Sequence, residues 1–361
     1  MKLVYISPVP WSSINQRPHF FAKMAIKYGI NEILWVEPYP SRLPNFGDLL
    51  PGRHAPEPSD LANIEGLEII SAGALIPVEP IKILFNFFNG NRINKTIKSI
   101  VEFIGTEKAG VVIGKPCRLS LSLLNAKRWD VSCYDAMDDF PSFYSGLSRK
   151  HMAIMEANLI KEVDIVMCSS HKLYDKFVHD KKLLVLNACA DGLKKEQGND
   201  KGQGHVFGYI GTIASWFDWQ WVIDLAGLNP ESSIHIFGPV KSKIPNGLPG
   251  NVILKGAIPH SQVMSEISKF DVAIIPFVNN EITRFVDPVK YYEYALAQIP
   301  ILSTNFGEMA WHHKEIKNKC NCHYSVPVGT LFFSHDHMKN GVPRWSERFA
   351  VLYNEVFKNC S

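Results

Sequence analysis

Short apolar runs alternate along this chain with segments whose apolar residues recur every three to four positions. "KLVYIS", "EILWVEP", "LEIISAG", "AGVVIGKP", "WDVSCYDA" and "DIVMCSS" are runs of the first kind and are predicted strands. "QRPHFFAKMAIKYG", closed by Gly29, "INKTIKSIVEFIG" and "MAIMEANLIKEV" carry the helical period. The rhythm returns downstream. Strands in "HVFGYIGTI", "SSIHIFGPV", "NVILKGAI", "DVAIIPF" and "PILST" alternate with helices in "WQWVIDLAGLN", "HSQVMSEISKF" and "DPVKYYEYALAQ". Parallel strands need crossovers, and crossover helices bury both sheet faces, so this alternation predicts parallel sheets covered on both sides. Two such runs predict an α/β chain of two doubly wound, Rossmann-like domains facing a cleft. The expected boundaries are 1–190 for the first domain, 191–204 for a Gly/Lys/Asn-rich linker and 205–335 for the second domain. A final segment, 336–361, holds one more amphipathic helix in "PRWSERFAVLYNEVF". The Pro-rich stretch "PYPSRLPNFGDLLPGRHAPEPSD" has no period and is predicted loop.

Composition narrows the class. With 361 residues, 46% hydrophobic and 20% charged, the chain is globular and long enough for two domains. Its 38 Lys/Arg against 35 Asp/Glu are too balanced for a dedicated nucleic-acid binder. The apolar run in "MKLVYISPVPW" is too short for a signal peptide and has no small-residue cleavage site after it. No uninterrupted apolar stretch of about twenty residues suggests a membrane span. The seven cysteines are irregularly spaced, which predicts reduced thiols in a cytoplasmic protein.

Ligands of open α/β sheets bind beyond the carboxyl ends of the strands. One such place precedes "DPVKYYEYALAQIPILST". Asp287 is the expected N-cap and Pro288 the first helical residue, which puts Lys290 in the first turn, adding charge to the positive end of the helix dipole. Glu293, three residues on, shares its face, with Tyr291 beside the lysine. A phosphate at Lys290 and a ribose on Glu293 would describe a nucleoside diphosphate lying along the helix. The same spacing also suits a solvated surface pair worth a few tenths of a kcal/mol. In "GYIGTI", Gly208 and Gly211 permit close backbone approach and the Thr212 hydroxyl can donate to a phosphate. In "KGAIPHSQV", Ala257 and Ile258 can offer backbone groups to a flat base. Each of these is also an ordinary strand and turn when taken alone.

Together these strings resemble the GT-B superfamily of nucleotide-sugar glycosyltransferases, over most of the chain. The most specific piece is "DPVKYYEYALAQIPILST", similar to the family's P-x-K-x-x-E-Y-x-A-x-G-x-P element, with Gln298 where Gly is usual. The resemblance implies that Lys290 and Glu293 hold the diphosphate and ribose of a nucleotide diphosphate sugar, that no cofactor or metal is needed, and that the tail helix packs back on the first domain. "QRPHFFAKMA", "WDVSCYDAMDDFPSF" and "DIVMCSSHKLYDKF" resemble a bacterial subgroup that builds capsule, O-antigen and exopolysaccharide, distantly including the xanthan-type glucuronosyltransferase. The acceptor it implies is a glycan or lipid-linked saccharide. The second Glu of the large retaining subgroup is replaced by Phe285, and its N-terminal Gly-Gly loop is missing, which points toward inversion.

Inversion needs a base. "YDAMDDF" places Asp135, Asp138 and Asp139 just after a predicted strand, and crowded acids beside Tyr134 and Phe140 can raise one another's pKa, so Asp138 or Asp139 is the expected base. The same acids would also serve as caps in solvent. Arg17, His19 and Asp135 are candidates for acceptor contacts, and Arg17 equally suits a structural ion pair. Arg284 is placed to neutralise a donor phosphate. The His and Cys residues of "HHKEIKNKCNCH" lack a standard zinc spacing. Residues 81–100 carry four basic residues, no acid and a Phe/Leu/Ile cluster, which suits either an anionic membrane surface or core packing. Two rivals stay open: an epimerase on the same fold, and a non-catalytic transferase-like subunit of a glycan assembly complex.

Overall fold

The computed structural model describes residues 1–44, 64–72, 76–195, 205–316, 322–338 and 341–357. They fall into two compact units, Met1–Leu186 with Trp345–Ser361, and Asn187–Arg344.

The first unit begins with β1 (Lys2–Ile6), α1 (Arg17–Lys27), β2 (Glu32–Glu37), β3 (Leu67–Ser71), α2 (Lys82–Ile104) and β4 (Ala109–Ile113). It continues through α3 (Arg118–Ala126), β5 (Val131–Ala136), α4 (Gly146–Glu162), β6 (Ile165–Cys168), α5 (His171–Lys176) and β7 (Lys182–Leu184). The strands form one sheet in the order β3-β2-β1-β4-β5-β6-β7, and every adjacent pair is parallel. The chain winds outward from β1 to β3, then returns to lay β4 on the other side of β1. The order therefore reverses between β1 and β4. β4 and β6 carry no charged residue and are buried at every position, as strands covered on both faces must be.

The second unit contains β8 (Val206–Ile210), α6 (Trp219–Leu228), β9 (Ser233–Phe237), β10 (Val252–Gly256), α7 (Val263–Ile267) and β11 (Val272–Ile275). After these come α8 (Val289–Leu296), β12 (Ile301–Ser303), α9 (Gly307–Glu315) and β13 (Leu331–Phe333). Its sheet runs β10-β9-β8-β11-β12-β13, parallel except for the antiparallel edge pair β12–β13. Here the order reverses between β8 and β11. Gly208, in the middle of β8, faces Phe270: a Cβ there would lie 2.2 Å from the ring. That glycine serves core packing, not the close ligand approach expected of it.

The last helix, α10 (Trp345–Leu352), belongs to the first unit. Trp345 stacks on Phe20, and Phe349 meets Phe21 edge-on with ring centroids 5.2 Å apart. Trp345, Phe349 and Leu352 are all fully buried, and each contributes about 1.5–3 kcal/mol by leaving water.

The unit boundaries differ from those expected from composition. The first unit stops at Leu186 rather than 190, and the second runs from Asn187 to Arg344 rather than from 205 to 335. Hydrogen bonds set this. Asn187 donates its backbone N–H to the Asp287 carboxylate at 2.8 Å, and Arg344 donates to the Ala190 and Leu193 carbonyls. Residues 187–195 thus pack with the second unit. The rest of the expected linker, 196–204, lies outside the described residues, as does most of the Pro-rich loop.

The helix start at α8 is also shifted. Pro288 is its N-cap and Val289 its first residue, so Asp287 does not cap. Its end explains the departure noted in the motif. Gln298 has φ +57°, the left-handed conformation that normally terminates a helix on glycine. A non-glycine residue there costs about 1–2 kcal/mol. Gln298→Gly is accordingly expected to raise stability by up to about 1 kcal/mol. Chemical denaturation of parent and variant would measure it, and a lower midpoint for the variant would refute the strain.

Candidate functional site

The second unit assembles its candidate site at the reversal between β8 and β11, where open sheets leave a crevice beyond the strand ends. β8 ends in a turn at Gly211 (φ +152°) and β9 in one at Gly238 (φ +131°). The two turns are pressed together: a Cβ on Gly238 would lie 2.0 Å from the Gly211 carbonyl oxygen. Gly211 N–H donates to the Phe237 carbonyl, and Gly238 N–H to the Gly256 carbonyl at 2.8 Å. Three strand ends are thereby tied into one backbone platform.

Lys290, in the first turn of α8, lies on that platform. A Cβ on Gly211 would come within 2.1 Å of Lys290 Cε and 2.5 Å of its Nζ. A side chain at 211 would have to displace the end of the lysine, at a φ that L residues rarely adopt. The ammonium also sits 5.6 Å from the centre of the Tyr209 ring. Among the described residues it has no hydrogen-bond acceptor or ion-pair partner. Burial pushes its pKa below the usual lysine value, opposed by the charge of Glu293. The Thr212 hydroxyl, on the same turn, is half-buried and has no partner among the described residues. Ala257 and Ile258 follow β10 directly; Ala257 is exposed and Ile258 half-buried. Gly211 and Lys290 lie against each other, with Thr212 next along the turn.

The other expected donor residues are placed differently. Arg284 is exposed, with its guanidinium 4.7 Å from the Phe285 ring centre. Tyr291 points inward: it is 3% exposed and stacks on His312 at 4.2 Å. It is core and not a ligand contact. Glu293 is half-buried on α8.

Asp287 is a feature that reading the motif alone missed. Its carboxylate is wholly buried and accepts from Asn187 N–H at 2.8 Å, Tyr292 Oη–H at 2.8 Å and His312 Nε2 at 3.1 Å. This network fixes the chain immediately before α8, and with it the approach of Lys290. His312 is committed to Asp287 rather than to a metal, and Cys320 lies outside the described residues.

In the first unit the acidic cluster separates into three different environments. Asp135, at the end of β5, is wholly buried, pairs with Arg17 Nε at 2.8 Å and accepts from Tyr5 Oη–H at 3.1 Å. Arg17 is 4% exposed, also donates to the Val185 carbonyl at 2.6 Å, and lies under Phe349. Asp139 accepts from Lys176, which also binds Glu156 at 2.8 Å. Asp138, between them, has no side-chain partner among the described residues. Burial raises its pKa to about 7; Arg17 opposes this, and the like charges of Asp135 and Asp139 add to it.

Three expected acceptor contacts are therefore corrected. Arg17 and Asp135 form a buried structural pair. His19 is 1% exposed, lies between Trp11 and Trp35, and uses Nδ1 to accept from Gln16 N–H at 3.1 Å at the start of α1. Asp139 is neutralised by Lys176, whereas Asp138 is left with a raised pKa and open lone pairs.

No protein-family model matches the chain. In sequence it is 27% identical over 208 residues to TuaH of Bacillus subtilis (strain 168), provisionally named a teichuronic acid biosynthesis glycosyltransferase; the match spans 49% of this chain and 51% of TuaH. The chain thus spans about half the length of the curated relative it matches. In structure it is similar to sucrose-phosphate synthase of Thermosynechococcus elongatus, with TM-score 0.58 and 12% identity over 86% of this chain and 83% of that one. It is also similar to the apo form of the lipopolysaccharide outer core galactosyltransferase WaaB, with TM-score 0.56 and 14% identity over 100% of this chain and 99% of that one. Two doubly wound sheets, each reversing at its first strand, account for that likeness, which is one of fold.

Proposed function

We propose that this chain is a glycosyltransferase that moves a sugar from a nucleotide diphosphate sugar onto a growing bacterial surface glycan, free or lipid-linked, with inversion at the anomeric carbon. One observation carries the donor assignment: the half-buried Lys290 ammonium rests on a glycine turn at the sheet reversal, near the charge of Glu293 but with no hydrogen-bond acceptor or ion pair among the described residues. A cation held in that state gains by binding an anion, and a diphosphate is the anion such turns accommodate. Thr212 adds a hydroxyl donor, Glu293 two acceptor oxygens for the ribose, and the backbone at Ala257 and Ile258 an edge for the base. The relation to TuaH supports a surface polysaccharide as the acceptor.

In the proposed reaction the acceptor hydroxyl oxygen attacks the anomeric carbon as the bond from that carbon to the diphosphate oxygen breaks. Asp138 takes the hydroxyl proton. Its raised pKa suits it, because a base titrating near the working pH combines availability with driving force. The leaving diphosphate carries away the bonding electrons, and Lys290, aided by the exposed Arg284, stabilises the developing charge. We assign that role to protein cations and propose no resident metal or cofactor.

A thermal-shift screen against uridine, guanosine, adenosine, cytidine and thymidine diphosphates tests the donor site. One of them is expected to raise the melting temperature, since a ligand that binds only the native state stabilises it. No shift with any of the five would overturn the donor assignment.

A further inference from the structure

Helix α2 presents two sides of opposite character. Phe85, Asn89, Ile93, Thr96, Ile100 and Ile104 form its buried stripe. Phe85 is 2% exposed and packs near Tyr39 and under Arg118, so this ring of the aromatic cluster belongs to the core. Its neighbours do not. Ile83 and Phe87 are each 81% exposed, Phe88 48% and Leu84 39%. At 3.6 residues per turn these four lie on the side opposite the buried stripe, and Lys95 and Lys98 continue the same side. Lys82, Arg92, Lys95 and Lys98 are all exposed, and no acid occurs until Glu102, which pairs with Lys98 at 3.6 Å in solvent.

We propose that this face of α2 docks the first unit on an anionic lipid surface. The apolar side chains of the first two turns enter the head-group and acyl boundary, and the lysines further along lie over acidic head groups. Charge complementarity selects this occupant. Residues 81–100 hold four cations, no anion and five exposed large apolar side chains, Ile81 being the fifth, and this matches a negatively charged bilayer, whose acyl region takes the apolar groups without demanding a shaped pocket. A protein groove would need its own acids placed opposite each cation. Among the described residues no helix is long and apolar enough to cross a membrane, so the contact is to the surface. The inference is independent of the transfer chemistry, since it uses no residue of the candidate site.

Co-sedimentation of the full chain with extruded vesicles tests it. Vesicles of phosphatidylglycerol mixed with phosphatidylcholine are expected to carry the protein down, and pure phosphatidylcholine far less. Lys95→Gln with Lys98→Gln should weaken partitioning roughly fivefold per lysine at low salt. Ile83→Ser with Phe87→Ser should release the protein, and because both side chains are solvent-exposed the variant should melt like the parent and bind nucleotide diphosphate equally well. Equal sedimentation of parent and Ile83→Ser/Phe87→Ser would overturn the proposal. So would failure of the parent to bind anionic vesicles, and so would loss of self-association in that variant in place of loss of lipid binding.

Discussion

Replacing Asp138 with asparagine is expected to lower the rate of sugar transfer by about 10²–10⁴-fold, the usual contribution of a general base. Donor affinity should stay nearly unchanged, because Asp138 is not among the residues assigned to the nucleotide. The same substitution should stabilise the protein at high pH. An aspartate titrates near 3.9 in an unfolded chain but at about 7 here, because burial and the charges of Asp135 and Asp139 disfavour its ionised form. Between those two values the native state holds a proton that the unfolded state has released. Stability is therefore lost as pH rises through that window, and the full penalty is present above about pH 7. Asparagine cannot ionise and escapes it. The gain is on the order of 1–3 kcal/mol at pH 8 and much less at pH 5, or roughly 2–4 °C per kcal/mol for a unit of this size. Melting curves of both proteins at the two pH values would show it; parallel curves would mean a solvated carboxylate of ordinary pKa. In the parent, the transfer rate should climb with pH and level off above about 7. Asp139→Asn should behave differently, leaving Lys176 and Glu156 imperfectly paired and lowering stability.

Replacing Lys290 with alanine is expected to weaken nucleotide diphosphate binding by about 10- to 150-fold, the value of one hydrogen bond to a charged group. Folding should not suffer. The ammonium has no hydrogen-bond acceptor or ion pair among the described residues, and burial disfavours its charged form more than Glu293 favours it, so the truncation removes a cost as well as some packing. Titration calorimetry on both proteins separates the two effects. Equal dissociation constants would remove Lys290 from the site, whereas a collapsed melting temperature would make it structural. Gly211→Ala should mimic the binding loss, since its Cβ would occupy the space of Lys290 Cε.

The periodicity of the chain was enough to read both sheets, because strands buried on both faces must be continuously apolar whatever their partners. It missed β7 and the edge strand β13, each three residues long, whose existence depends on a neighbour rather than on local pattern. The places of Lys290 and Gly211 in the fold were legible for the opposite reason. A lysine in a first helical turn and a glycine after a strand carry their chemistry in their own short strings. Asp287 was misread as a cap because local grammar assigns that role. Its partners Asn187 and His312 lie 100 and 25 residues away. What distinguishes Asp138 from Asp139 was likewise not legible locally, since the Lys176 that binds Asp139 lies 37 residues downstream. Arg17 and His19 looked like acceptor contacts because polar residues after a first strand often face a ligand. The buried aspartate 118 residues further on turns the arginine inward.

The most direct test of the account is nucleotide diphosphate release from a panel of nucleotide sugars, followed with and without a bacterial lipid-linked glycan extract. Release from one donor is expected to rise sharply when the extract is present, with labelled sugar appearing in the glycan, and Asp138→Asn is expected to abolish both. Donor turnover that ignores the extract, or no turnover with any donor, would contradict it.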